Sequence, residues 1–338
     1  MKGQRDKDPN TEVIKFLAAC LVILSHAYPL NLGDTVSDGL SVLTRGQMNW
    51  GAVSVSVFFT LSGYYLARSV GKCRRGWDYG KARSKRLLPS LWIVVALSVF
   101  CIGPLFTTLP LGAYFQSGGT WRYFGNALLL PIHDLPGVFT NNPYSPTVNG
   151  PLWTLPVEAL CYVALWLLHR LGLVSKKRFF LSVPLFACGA GVLVLMSARF
   201  PILLSMLRPA FCFYMGVFLR LYSDDNIYGR TRTWARWAGY VALTVGSVAL
   251  GIANIAMGLL VPLLTVELTR SGRHSFGVLE RLGGYSYEIY LLGWPVQQML
   301  IAWLGPMPPC GNAALAILFC VGLALPLKGA ADRLARGW

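Results

Sequence analysis

The first apolar segment of this sequence carries the two side chains most suited to chemistry. Lys15 and His26 are eleven residues apart, so a helix places them on one face about 16 Å from each other. An imidazole titrates near neutral pH and can take a proton from a hydroxyl group. A buried histidine is often only a structural hydrogen-bonding group. Because an ionisable residue is costly in an apolar segment, we interpret His26 as a catalytic base.

Glu158 is a second catalytic candidate, since it lies inside another apolar segment at a depth similar to that of His26. A carboxylate there can orient an imidazole and stabilise its charged form. The alternative is a carboxylate that serves only helix packing. Further ionisable residues within apolar segments are Arg208, Glu267 and Glu288.

A run of basic residues occupies positions 72–86, immediately before the third apolar segment, and ends with Arg83, Lys85 and Arg86. Guanidinium groups bind phosphates through paired hydrogen bonds. The end of this run is therefore a candidate site for a nucleotide-bearing donor. The alternative is that its charge only fixes membrane topology, and the number of charges does not separate the two readings.

The composition indicates that membrane-spanning helices must position these residues. Hydrophobic residues make up 54% of the 338 positions and charged residues 13%, about half the charged fraction of a soluble domain. The net charge of +16 would suggest a nucleic-acid partner in a soluble protein. Basic loops beside a membrane explain it better, so we expect no nucleic-acid partner. The cysteine spacing shows neither a disulfide framework nor a zinc site, and no motif for ATP or metal chemistry is present.

Hydropathy predicts an all-α membrane protein of about ten transmembrane helices. The predicted spans are residues 13–30, 50–70, 87–108, 151–168, 179–198, 200–219, 237–252, 254–269, 285–304 and 309–327. The seventh and eighth are interpreted as two helices, with a turn supplied by Gly251, Asn254 and Gly258, although one kinked helix is the alternative. The segment 109–150 is predicted to be a lid or re-entrant region rather than a domain.

The basic residues determine the predicted orientation. Most of them fall on one side of a ten-span map, in the N-terminal tail and in the segments 68–86, 170–178, 220–236, 270–281 and 328–336. The positive-inside rule then places both termini in the cytoplasm. We expect a single integral membrane domain over residues 1–338, with a core at about 12–327 and no fused soluble domain.

Separated blocks of the sequence carry a family resemblance. They are residues 12–26, which hold the Lys15 and His26 pair, Val53 to Gly63, Arg83 to Pro89, Asn149 to Glu158, and Gly284 to Pro295. In this order and spacing the blocks resemble the acyltransferase 3 family of integral membrane O-acyltransferases, which includes O-antigen and Nod-factor O-acetyltransferases. The family usually has Arg at the position of Lys15. Many members carry a His where this chain has Gly293, so His26 is the one histidine expected to be catalytic.

The resemblance implies a membrane acyltransferase that moves an acyl group, acetyl being the expected one, from cytoplasmic acyl-CoA to a hydroxyl of a cell-envelope glycan such as O-antigen, exopolysaccharide or peptidoglycan. It implies acyl-CoA, the glycan or a lipid-linked sugar, and membrane lipids as partners, no bound cofactor, and a location in the inner membrane. The expected catalytic residues are His26 and Glu158. The residues expected to bind the donor are Lys15, Arg83, Lys85 and Arg86, and those expected to bind the acceptor substrate are Trp153, Ser286, Tyr287 and Tyr290.

Two other classes of function fit part of the pattern. A transporter or flippase for a glycan intermediate also places charges within the membrane, but it predicts inverted repeats or paired broken helices, which the sequence does not show. A structural scaffold with inert buried charges would tolerate the loss of His26.

Overall fold

The computed structural model describes residues 8, 10–33, 35–73, 75–144, 146–197, 202–222, 233–271 and 277–338. Parts of the basic segments, namely Arg74 and residues 223–232 and 272–276, lie outside this described part, as do the basic residues of the N-terminal tail. The described residues form helices without any β-strand. Two isolated bridges, Thr107 with Val138 and Asp134 with Thr147, are the extended pairings among them. The prediction of an all-helical protein is therefore confirmed.

The α-helices are, in chain order, α1 Thr11–Leu32, α2 Gly39–Leu43, α3 Trp50–Ser69, α4 Gly76–Leu97, α5 Gly103–Phe106, α6 Leu111–Gln116, α7 Gly118–Arg122, α8 Thr154–Arg170, α9 Val183–Ser197, α10 Ile202–Tyr222, α11 Thr233–Ala249, α12 Ala253–Arg270, α13 Val278–Gly283, α14 Ser286–Leu304 and α15 Pro309–Arg336. Short 3₁₀ turns cover Val70–Lys72, Tyr123–Leu128, Gly150–Trp153 and Phe179–Ser182, and a π turn covers Ser98–Ile102.

Seven helical stretches among the described residues are long and apolar enough to cross a membrane. They are Thr11–Leu32, Trp50–Lys72, Gly76–Phe106, Gly150–Arg170, Phe179–Met196, Ala253–Arg270 and Pro309–Arg336. Such helices satisfy all their backbone hydrogen bonds internally, which lipid requires. Three further helices, α10, α11 and α14, overlap the remaining three predicted spans.

Two boundaries differ from the sequence prediction. Helix α4 begins at Gly76, so the basic residues from Lys81 to Arg86 lie on the helix rather than in a loop, whereas Lys72 ends the 3₁₀ turn before it. The break between α11 and α12 lies at Leu250–Ile252, where Gly251 adopts a positive φ of 74°, a conformation that glycine adopts without strain. The predicted turn residues Asn254 and Gly258 are instead inside α12.

Contacts divide the chain into two units. The first comprises residues 1–14, 52–80 and 157–275. In this unit α10 packs against α9 and α12, and α11 packs against α12. Glycines bring α3 and α10 together, because a Cβ at Gly63 would overlap the carbonyl group of Phe213, and one at Gly216 would overlap that of Thr60. Small residues of this kind allow close helix packing in membranes.

The second unit comprises residues 15–51, 81–156 and 276–338. Helices α14 and α15 pack along each other, and a buried hydrogen bond of 2.9 Å joins Gln297 to Asn312. The predicted lid region 109–150 is folded in this unit through α6, α7 and a 3₁₀ turn. Tyr123, Val138 and Val148 of this region are buried, so it has a small apolar core of its own.

Candidate active site

His26 lies near the end of α1 and contacts an aromatic ring of α14. The imidazole and the indole of Trp294 meet edge to face, with ring centroids 4.9 Å apart. Lys15 lies on the same helix and is half-buried, as His26 is. The single helix α1 thus carries both residues, as the spacing predicted.

A buried carboxylate, Asp38, is hydrogen-bonded to the residue that precedes His26. Ser25 donates a 2.5 Å hydrogen bond to Asp38, which follows α1 and precedes α2. The same carboxylate accepts hydrogen bonds from the backbone N–H of Ser41 at 3.0 Å and from that of Trp50 at 2.8 Å. Asp38 therefore ties the end of α1 to the start of α2 and of α3.

Trp294 links His26 to the segment that precedes α8. Its indole N–H donates to the carbonyl of Thr147 at 2.9 Å, and Tyr144 stacks edge to face on it at 5.3 Å. A Cβ at Gly150 would lie 3.2 Å from the indole. The residues before the 3₁₀ turn Gly150–Trp153 thus form one wall beside the Trp294 ring.

Helix α14 approaches α1 one turn before His26. A Cβ at Gly293 would lie 2.8 Å from the side chain of Ile23, and the Gln297 amide donates to the Ile23 carbonyl at 2.9 Å. This packing gives a physical reason for the missing histidine of this chain. At position 293 any larger side chain has to displace Ile23, which is buried.

The other end of α14 lies at the basic part of α4. The Tyr287 hydroxyl donates to the carbonyl of Leu87 at 2.8 Å, next to Arg86. Arg83 and Lys85 are half-buried and Arg86 is exposed. The structure therefore brings the predicted donor residues of α4 together with the Ser286 and Tyr287 block, which sequence alone did not place.

Glu288 belongs to the same end of α14. Its Oε1 accepts a hydrogen bond from Ser90 of α4 at 2.9 Å, while Oε2 is buried and has no hydrogen-bond partner among the described residues. Lys328 lies close enough to interact with it electrostatically and donates to the Gly284 carbonyl at 2.6 Å. Glu288 and Lys328 thus both lie at the junction of α4, α14 and α15.

The predicted acceptor residues differ in their surroundings. Tyr290 is buried, and its hydroxyl bonds to Thr154 at 2.8 Å and donates to the Pro151 carbonyl at 3.0 Å. Its polar atom is thus engaged within the fold. Ser286 is buried at the first position of α14. Trp153 ends a 3₁₀ turn and stays half-exposed.

Glu158 lies in the first unit, near the start of α8. Its Oε1 accepts a 3.0 Å hydrogen bond from Ser62 of α3 and a second, short one from Tyr162 one turn further along α8. The side chain is only half-buried. Two hydroxyl donors therefore hold one carboxylate oxygen in place.

The other ionisable residues predicted within spans form pairs in the first unit. Glu267 accepts a 2.8 Å hydrogen bond from Arg236, and Arg208 donates to the side chain of Asn254. Such pairing is how charged groups are accommodated in apolar surroundings. A structural role is sufficient for both.

Burial also changes the acidity of two phenols in the segment 109–150. Burial raises the pKa of Tyr114 to about 12, and burial raises the pKa of Tyr123 well above its usual range. Tyr114 donates to the carbonyl of Val99 at 2.9 Å. Both phenols are therefore neutral in the folded protein near neutral pH.

Sequence reasoning did not find Asp38 or the contact of Trp294 with His26. The search considered ionisable residues inside apolar segments, and Asp38 lies in the polar connection between the first two. Trp294 is part of a family block, but its type alone does not distinguish a packing residue from one at a site. Only the contact between α1 and α14 identifies it.

Comparisons with known proteins agree over nearly the whole chain. Residues 9–328 match the acyltransferase 3 family model, which is described as an acyltransferase domain. Nodulation protein 10 of Rhizobium leguminosarum bv. viciae is 29% identical, over 91% of this chain and 90% of that protein. An O-acetyl transferase of Shigella phage Sf6 is 23% identical, over 91% of each chain. No solved structure matches the chain significantly.

Proposed function

The chain belongs to the acyltransferase 3 family and is a multi-pass membrane acyltransferase, and we propose that it transfers an acyl group, acetyl in the first instance, from cytoplasmic acyl-CoA to a hydroxyl of a cell-envelope glycan. The similarity to an O-acetyl transferase supports transfer to oxygen. Acyl-CoA is consumed as a substrate in this proposal, and no bound cofactor is required. The proposed location is the inner membrane.

The observation that carries the proposal is that α14 contacts both the basic part of α4 and His26. Tyr287 contacts the basic part of α4 and Trp294 contacts His26. These two residues are seven positions apart, which is about 11 Å along a helix. A donor whose phosphates bind at Arg83 and Arg86 can lay its pantetheine arm along α14 and bring its thioester to His26.

The proposed topology fits this arrangement. In this topology the seven candidate spans and the helices α10, α11 and α14 together cross the membrane ten times. With the termini in the cytoplasm, the basic start of α4 faces the acyl-CoA pool and the end of α1 faces the outer side. The donor then enters from one side and the glycan from the other.

The proposed chemistry is a direct transfer with His26 as general base. The imidazole takes the proton of the acceptor hydroxyl, the oxygen forms a bond to the thioester carbon, and the carbon–sulfur bond breaks. The CoA thiolate leaves and takes the proton from the imidazolium. Transfer through an acyl-His26 intermediate is the alternative route.

The remaining predicted residues have supporting roles in this proposal. Lys15 and Lys85 line the path of the donor, and Trp153, Ser286, Tyr287 and Tyr290 shape the channel and the acceptor side. Glu158 is the catalytic carboxylate of this proposal, and Ser62 and Tyr162 hold its Oε1 in place.

Reconstituted acyl transfer tests the chemistry. The purified protein in liposomes is given radiolabelled acetyl-CoA and envelope glycan extracted from cells that lack the protein, and labelled glycan is counted. His26→Gln keeps a polar side chain that cannot act as a base, so its rate should fall on the order of a hundredfold. His169→Gln, at the half-exposed end of α8, is the matched control and should keep its activity. Wild-type acetylation by His26→Gln would exclude this mechanism.

Donor binding tests the basic site separately. Replacing both Arg83 and Arg86 by Ala removes two charge-assisted phosphate contacts, so acyl-CoA affinity should fall about tenfold or more. The exposed Lys177, in the connection between α8 and α9, supplies the control variant Lys177→Ala, which also removes a positive charge. Equal affinity in the double variant and the control would reduce the basic run to a topology signal.

A further inference from the structure

Asp38 is a buried carboxylate that the proposed mechanism does not yet use. Its side chain is 1% exposed, and the hydroxyl of Ser25 and the backbone N–H groups of Ser41 and Trp50 donate to it at 2.5 to 3.0 Å. These donors are neutral, so they solvate the charge without cancelling it. Within the described part of the chain no Lys or Arg forms an ion pair with Asp38.

Asp38 lies beside the turn of α1 that carries His26. Ser25 is the chain neighbour of His26, so the carboxylate is held against the turn of α1 that carries the imidazole. Asp38 lies close enough to His26 to interact with it electrostatically. In apolar surroundings a charge at this range interacts far more strongly than it does in water.

The fold fixes this arrangement from several sides. A Cβ at Gly51 would lie 3.2 Å from the Ser25 hydroxyl, so the start of α3 packs tightly against the hydrogen bond between Ser25 and Asp38. The Trp294 ring packs edge to face against His26. A fixed negative charge in a packed, largely apolar setting is a condition under which an imidazole gains from a nearby carboxylate.

We propose that Asp38 is the positioning carboxylate of His26: held by Ser25, Ser41 and Trp50, it stabilises the imidazolium that forms when His26 takes the proton of the acceptor hydroxyl. The inference rests on the proposed role of His26 as general base. The carboxylate itself neither gains nor loses a proton, and it acts through the charge that it places beside α1.

The competing reading is that Asp38 only caps α2 and anchors α3. Asn is about as good an N-cap residue as Asp, and its amide oxygen can still accept a hydrogen bond from Ser41 or Trp50. Asp38→Asn therefore keeps most of a capping role and removes the charge. Asp134→Asn removes an exposed carboxylate of the same unit and serves as the matched control.

The experiment compares two nucleophiles on the purified proteins in liposomes with acetyl-CoA. The extracted envelope glycan presents hydroxyls that need a base, whereas hydroxylamine attacks a thioester carbonyl without one. Hydroxamate and labelled glycan are measured after subtraction of the enzyme-free rate, and rates are expressed per acyl-CoA binding site. For Asp38→Asn we expect a loss of about tenfold or more with the glycan and less than about threefold with hydroxylamine. Asp134→Asn should resemble the wild type with both.

Each other outcome has a definite meaning. An equal loss with both nucleophiles, or no loss with the glycan, overturns the role of Asp38 and leaves it a structural cap. A wild-type protein that acylates neither nucleophile refutes the proposed function itself, and this result is visible before any variant is compared. If Asp38→Asn yields no acyl-CoA binding sites, Ser25→Ala replaces it, because it removes the side chain that links Asp38 to α1. Ser25→Ala must then show the same selective loss, and without it the inference fails.

Discussion

Adding one methyl group at Gly63 is expected to separate two helices of the first unit. A Cβ there would lie 2.9 Å from the carbonyl carbon of Phe213 and closer still to its oxygen. Carbon atoms in contact are normally about 3.5 Å or more apart, so the carbonyl carbon alone requires α3 and α10 to move apart by roughly 0.6 Å. The nearer oxygen requires a larger shift. A backbone carbonyl within a helix cannot rotate away, so the strain is not relieved by a change of rotamer.

The magnitude follows from two opposing contributions. Overpacking of this kind costs about 1 to 3 kcal/mol, and a rigid backbone contact belongs at the upper end. The greater helix propensity of alanine returns about 1 kcal/mol. Gly63→Ala should therefore destabilise the protein by about 2 kcal/mol. The displaced α3 also carries Ser62, whose hydrogen bond to Glu158 of α8 is 3.0 Å long. We expect a shift of α3 to weaken this bond, so acyl transfer should fall as well.

The assay is thermal unfolding in detergent, followed by tryptophan fluorescence, together with the glycan acylation rate. We expect the transition of Gly63→Ala to fall by about 3 °C. Gly246→Ala is the control, because position 246 is also inside a helix and has open space around it, and its transition should stay or rise. An unchanged transition and rate for Gly63→Ala would refute the close approach of α3 and α10.

Three further predictions concern topology, Glu158 and alkaline stability. In an otherwise cysteine-free variant, Cys73 should react with a membrane-impermeant thiol reagent only from the cytoplasmic side and Cys310 only from the outside; labelling of both from one side contradicts the ten-span map. Tyr162→Phe removes one of the two hydroxyls that hold Glu158 and should lower the acylation rate several-fold, as expected for one lost hydrogen bond. Glu158→Gln should lower the rate further. If both variants acylate at the wild-type rate, Glu158 is structural. Burial raises the pKa of Tyr114 to about 12, so the stabilising effect of this phenol is complete below the usual phenol pKa of about 10 and is lost as the pH rises toward 12. Between pH 9 and 12, Tyr114→Phe should therefore lose less stability than the wild type, each measured relative to its own value at pH 8. A parallel loss in both proteins would contradict this.

The amino-acid sequence was sufficient to predict the fold class and the family. Long apolar stretches identify membrane helices, because lipid leaves the backbone no other way to satisfy its hydrogen bonds. The spacing of Lys15 and His26 is local, so a single helix carries both without help from the rest of the chain. The family blocks are also local patterns, and the match over residues 9–328 confirms their meaning.

Local patterns were not sufficient where a boundary depends on polar residues. Helix α4 starts at Gly76, eleven positions before the predicted span, because hydropathy detects only its apolar part. Lys and Arg are good helix formers, and the basic run therefore continues the helix. The same run remains a candidate donor site, but it now lies on a defined helical face next to α14.

Only the tertiary structure decided which groups lie around His26. Trp294 and Gly293 follow His26 by more than 260 positions. Asp38 is not on α1, and it is connected to this helix by its hydrogen bond with Ser25. Contacts of this range depend on how α1 and α14 pack, and the packing depends on small residues and single hydrogen bonds that leave no periodic pattern. The sequence could therefore predict His26 as the base, whereas the contact of Asp38 with its helix became visible only in the folded chain.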